Sequence, residues 1–154
     1  MSFSQIIIFY QNTFRQQNKI LMAITPEKPV SSFGTHITAD YLDQETLLSL
    51  TELMDGDAEM ISDLIDTLME DTPALMAELK DAIEAGEISL VHRHAHSLKS
   101  SNAQLGAHAF AAICQELENQ AKEGELSNAP QLLQQLQQEQ QRVALALNDW
   151  KNRL

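Results

Sequence analysis

The sequence predicts an all-α fold, an antiparallel up-and-down four-helix bundle with short helical additions on its N-terminal side. Apolar residues recur at steps of three and four along most of the chain beyond residue 43, the period of a helix with one buried face. They are mainly Leu, Ala, Ile and Met, all good helix formers except Ile. Hydrophobic content is 44 % with only five glycines and four prolines, which excludes a disordered chain. At 154 residues the chain is long enough to bury a core of its own.

Residues 1–39 read as an N-terminal extension and linker, and 40–154 as the helical domain. Within the extension, residues 3–24 can form an amphipathic helix with Ile7, Phe14, Leu21 and Ile24 among its apolar positions. Thr25-Pro26-Glu27-Lys28-Pro29 ends it, because proline lacks an N–H and disfavours helix in the residue before it. Met22 is an alternative start. The apolar run Ile6-Ile7-Ile8-Phe9-Tyr10 is too short to span a bilayer and has no signal-peptide surroundings. A cytoplasmic protein is expected. The single cysteine, Cys114, fits a reducing compartment.

A first short helix is expected over 43–54, with Leu47, Leu48, Leu50 and Leu53 supplying its contacts. Asp55-Gly56-Asp57 breaks it. The second helix starts at Ala58 and repeats through Ile61, Leu64, Ile65, Leu68, Thr72, Leu75, Leu79 and Ala82. Pro73 marks either a kink or a stop with a restart. Gly86 closes this helix, and Ser89 is the expected N-cap of the next. That third helix runs to about Gln104. A fourth spans 107–122, with Phe110, Ile113, Cys114, Leu117 and Ala121 on one face and Gly124 as its stop. The last, 129–154, begins in a Gln-rich run. Leu132, Leu136, Val143, Leu147, Trp150 and Leu154 keep its helical period, so an ordered amphipathic helix is expected, with an intermolecular coiled coil as the alternative.

The third helix carries the chemistry. On a wheel of about 100° per residue, Val91, Ala95, Leu98, Asn102 and Leu105 form one stripe. His92, His96, Lys99, Ser100 and Ala103 share the opposite side. The helix therefore buries its aliphatic face and turns His96 to solvent, beside a lysine and small residues that leave an approaching protein room. A neutral imidazole is a competent nucleophile. A formal net charge of −12 argues against nucleic acid and an anionic membrane as partners.

The string His96-Ser97-Leu98-Lys99-Ser100-Ser101, followed by Leu105-Gly106-Ala107, resembles the signature of histidine-containing phosphotransfer (HPt) domains. The usual form is His-x-Leu-Lys-Gly-Ser-Ser and then Leu-Gly-Ala, with Ser100 here in the place of the glycine. The resemblance covers roughly residues 40–154. It implies a phosphorelay carrier: His96 takes a phosphoryl group on Nε2 from a receiver-domain phosphoaspartate and passes it reversibly to another receiver aspartate. The expected partners are receiver domains of hybrid histidine kinases and response regulators. Magnesium belongs to the receiver, and no cofactor or metal is expected on this chain.

On this reading Lys99 stabilises phosphoryl charge. Glu118 aligns with the family position that orients the imidazole, with Gln115 as the fallback and an exposed surface acid as the plain alternative. His92, Ser100 and Ala103 form the docking stripe. The chain has no nucleotide-binding loop, so neither kinase nor ATPase activity is expected, and a monomer is expected. His92, His94 and His96 raise a zinc site as an alternative, but His94 points about 160° from His96. Cys114 reads as a core residue rather than a redox thiol. The rival function is a non-catalytic helical adaptor that binds a partner through a bundle face.

Overall fold

The computed structural model describes residues 41–154. The N-terminal helix read over 3–24 and the linker after it lie outside the described residues. Five helices follow in order: α1 Gln44–Leu53, α2 Ala58–Ala85, α3 Ile88–Gln104, α4 His108–Glu123 and α5 Ala129–Lys151. Helices α2 to α5 pack each against the next, and α5 returns to α2. The links between them, 86–87, 105–107 and 124–128, are too short for anything but antiparallel neighbours. The result is the up-and-down four-helix bundle expected, with α1 as the short N-terminal addition.

Each boundary has a local cause. Asp43 caps α1 by accepting from the Thr46 backbone N–H at 2.8 Å and the Thr46 hydroxyl at 2.6 Å. Asp57 caps α2 by accepting from the N–H groups of Glu59 and Met60, donors that the first turn otherwise leaves unpaired. Pro73 neither stops nor divides α2. It has no N–H for the Met69 carbonyl, yet Leu68, Thr72, Met76 and Leu79 around it are all buried in the common core. Packing on both sides of the proline outweighs one lost hydrogen bond.

The expected cap at Ser89 is corrected. Gly86 takes a left-handed conformation (φ 68°), and the Glu87 carbonyl already accepts from Leu90 and Val91 at 3.0 Å. The turn is so tight that Ser89 falls inside the first turn of α3, which has no side-chain cap. The fourth helix starts one residue later than expected, at His108. The last helix stops at Lys151, leaving Leu154 exposed rather than on the buried stripe.

The core draws on every helix: Leu47 and Leu50 from α1, Ile61, Ile65 and Leu79 from α2, Val91 and Leu98 from α3, Phe110 and Leu117 from α4, Leu136, Val143 and Leu147 from α5. The glutamine run in α5 follows the same logic. Gln131, Gln134, Gln135, Gln137 and Gln138 are exposed, and the leucines between them are buried.

Helix α1 is seated on the α3–α4 turn. The Asp43 N–H donates to the Gly106 carbonyl at 2.9 Å. Gly106 has φ 76°, and a Cβ there would lie 2.9 Å from the Asp43 nitrogen and 3.0 Å from its carbonyl oxygen. Glycine is needed twice over, for the left-handed turn and for the close approach. Among the described residues no helix is long and apolar enough to cross a membrane.

Candidate functional site

Helix α3 buries Val91, Ala95 and Leu98 completely. The same rotation holds the opposite side outward, where the His96 side chain is 52 % exposed. Its Nδ1 lies 3.2 Å from Oε1 of Glu118, on the neighbouring helix α4. Glu118 is not the exposed acid that its position allowed: it is only 3 % exposed. The Lys99 Nζ pairs with its Oε2, while the Lys122 Nζ at 3.2 Å and the His92 Nε2 at 3.5 Å reach its Oε1.

Burial alone would push the Glu118 carboxyl up. The hydrogen bonds from Lys99 and Lys122, the Lys99 charge and the His96 ring outweigh it and hold the carboxyl down at about 2. Glu118 is therefore ionised throughout the physiological range. An ionised carboxylate has no proton to donate, so the hydrogen on the His96–Glu118 contact must come from His96 Nδ1. In the neutral ring this leaves the Nε2 lone pair unprotonated on the outward side. A nitrogen with a free lone pair is chemically able to act as a nucleophile.

The other predicted residues surround this pair. The Lys99 Nζ also donates to Gln115 Oε1 at 3.0 Å, which places Gln115 on the lysine and Glu118 on the imidazole. Gln115 in turn donates to Asn119 Oδ1 at 2.9 Å. The Ser100 hydroxyl is turned back to the His96 carbonyl at 3.0 Å, so it satisfies its own helix backbone. Ser100 and Ala103 are both partly exposed beside His96. The His92 and His96 rings lie parallel, 5° apart in plane, with centroids 6.4 Å apart.

His94 faces away from this group. It is buried, with Nδ1 3.3 Å from Glu78 Oε2 on α2. Among the described residues no three His, Cys, Asp or Glu side chains are grouped to hold a metal ion. Cys114 is fully buried, and burial pushes its thiol far up.

Two residues of consequence were not singled out in the sequence. Lys122 follows Glu118 by four positions, a spacing that places both on one helix face, and that spacing was the available signal. Asn102 sits in the aliphatic stripe of α3 but is a buried polar anchor. Its Nδ2 donates to the Leu98 carbonyl at 3.0 Å and to Thr72 Oγ1 of α2 at 3.4 Å.

Comparison with known proteins agrees with this geometry. The Hpt domain family profile matches residues 63–146, more than half of the chain and including His96, Lys99 and Glu118. The crystal structure of histidine-containing phosphotransfer protein B (HptB) from Pseudomonas aeruginosa PAO1 superposes with a TM-score of 0.70 at 33 % identity, covering 75 % of this chain and 98 % of that one. The phosphorelay intermediate protein rdeA of Dictyostelium discoideum is 27 % identical over 109 residues. That match takes in 71 % of this chain but only 42 % of rdeA, so the chain spans less than half the length of this curated relative. An exposed imidazole backed by a buried carboxylate on a helical bundle, and a family profile across both, lead to one assignment: the chain belongs to the Hpt domain family.

Proposed function

We propose that this chain is a phosphorelay carrier that accepts a phosphoryl group on His96 Nε2 and returns it to an aspartate. The donor is the phosphoaspartate of a receiver domain in a hybrid histidine kinase, and the acceptor is a response-regulator receiver. The observation that supports this most directly is the half-exposed His96 ring with its Nδ1 on buried, ionised Glu118.

In the forward step the Nε2 lone pair forms a bond to phosphorus. The bond from phosphorus to the aspartyl oxygen breaks, and its electron pair leaves with the receiver carboxylate. The ring keeps its Nδ1 proton and becomes cationic, and Glu118 stabilises that cation across 3.2 Å. The return step retraces this path, with the neutral imidazole as leaving group. Lys99 supplies positive charge on the same face, where phosphoryl transfer depends on positioning and electrostatics. His92, Ser100 and Ala103 flank the ring and form the docking face. The carrier works as a cytoplasmic monomer and consumes no nucleotide. Magnesium is supplied by the receiver.

The test is incubation with a radiolabelled phosphoreceiver. Wild-type protein should take an acid-labile, alkali-stable label that His96→Gln does not take. Equal labelling of the variant refutes the assignment of His96. Receiver binding with no transfer to either protein would favour the adaptor reading.

A further inference from the structure

The Nδ1–Glu118 contact alone under-determines the geometry of the nucleophile. Rotation about the Cβ–Cγ bond can still tilt the ring within the tolerance of a single 3.2 Å hydrogen bond, and the Nε2 lone pair swings with it. Transfer needs that lone pair aligned with the phosphorus, and small misplacements of a reacting group cost rate steeply. A second contact on the ring narrows that swing.

The neighbours divide clearly on this point. The Ser100 hydroxyl is spent on the His96 carbonyl and Lys99 on Glu118 and Gln115. Lys122, on α4, meets Glu118 from a side chain that is 54 % exposed. His92 alone among the described residues presents a ring to the His96 ring, nearly parallel at 5° and with centroids 6.4 Å apart, within the range of offset aromatic pairs. It lies one helical turn before His96, so the shared helix fixes the spacing. Its Nε2 lies 3.5 Å from the Glu118 oxygen that His96 contacts at 3.2 Å, a looser approach to the same carboxylate. At 38 % side-chain exposure, His92 is not held there by core packing.

We infer that His92 is a positioning residue: parallel to the His96 ring one helical turn away and beside the same carboxylate, it limits the plane in which the Nε2 lone pair projects. This rests on the carrier reading and gives His92 a part in the transfer step itself in addition to its place on the docking face.

The experiment is rapid-quench, single-turnover transfer from a phosphorylated receiver at several receiver concentrations, with His92→Ala, His92→Gln and His92→Phe beside the wild type. Loss of one aromatic ring contact, about 1 kcal/mol, corresponds to about fivefold in rate. His92→Ala should lose that much of the maximal transfer constant while the half-saturating receiver concentration stays within about twofold. His92→Gln keeps an N–H for Glu118 and His92→Phe keeps a ring face, so each should recover part of the loss. Imidazole nitrogen NMR should show His96 as a single Nδ1–H tautomer in the wild type and as a broadened or mixed species in His92→Ala. An unchanged maximal constant overturns the inference, as does a change confined to half-saturation, which would return His92 to the docking surface. Absence of label on wild-type His96 would instead overturn the carrier reading itself.

Discussion

Replacing Glu118 by glutamine removes the carboxylate on which Lys99, Lys122, His92 and His96 converge while nearly preserving its shape. In the folded protein this carboxyl is held from its ordinary 4.5 down to about 2. Because the folded carboxyl binds its proton less tightly than the unfolded one, the contribution is complete above pH 4.5 and is lost as pH falls through about 2. A displacement of that size corresponds to about 3 kcal/mol of folding stability at neutral pH. The side chain is almost wholly out of solvent, so screening does not erase this value as it would for a surface pair.

Urea unfolding of wild type and Glu118→Gln at pH 7, 4.5, 3 and 2 measures it. The variant should be less stable by about 3 kcal/mol at pH 7 and 4.5, and the two curves should converge towards pH 2. Carboxyls elsewhere titrate in both proteins and cancel in the difference. A gap that stays constant from pH 7 to pH 2 would refute the electrostatic account and leave only a packing defect.

At the α3–α4 turn, Gly106→Ala forces an L-residue into φ 76° and drives a Cβ against Asp43 backbone atoms that cannot rotate away. A loss of about 2 kcal/mol and a melting temperature lower by roughly 10 °C are expected by calorimetry, and an unaltered melt would contradict the close approach. Ser100→Leu keeps the fold, because the side chain is partly exposed, but crowds His96. Receiver affinity should fall by about tenfold or more, equivalent to about 1.4 kcal/mol, and equal affinity in calorimetric titration would place the docking face elsewhere. Cys114, buried and with its thiol pushed up, should resist an aromatic disulfide reagent at pH 8 until urea unfolds the protein. Immediate reaction of the folded protein would contradict its burial.

The bundle was legible because its helices obey a 3.6-residue period and the first three of them, α2, α3 and α4, turn at glycines in left-handed conformation, Gly86, Gly106 and Gly124. The exposure of His96 followed from the same wheel, since Val91, Ala95 and Leu98 could only be buried together. The contact between His96 and Glu118 depended on the resemblance, because 22 residues separate them and no local periodicity relates two helices. The burial of Glu118 was harder to see. A lone acid on an amphipathic helix reads as surface until Lys99 from α3, which pairs with it, is placed in space. Asn102 was hidden for the opposite reason: it follows the aliphatic period perfectly well, and only the Thr72 hydroxyl on α2 explains a polar group there. Ser89 shows a local rule losing to a turn, since Gly86 and Glu87 complete the reversal before a serine cap is needed.

Gathering two ammonium groups around Glu118 has a consequence for a site that must both load and unload. On the proposed carrier reading the carboxylate keeps the two cations assembled beside His96 before a phosphoryl group arrives. Little has to be rearranged on arrival or on departure. On that reading a site preassembled for the anion favours neither loading nor unloading, which is what reversible exchange needs.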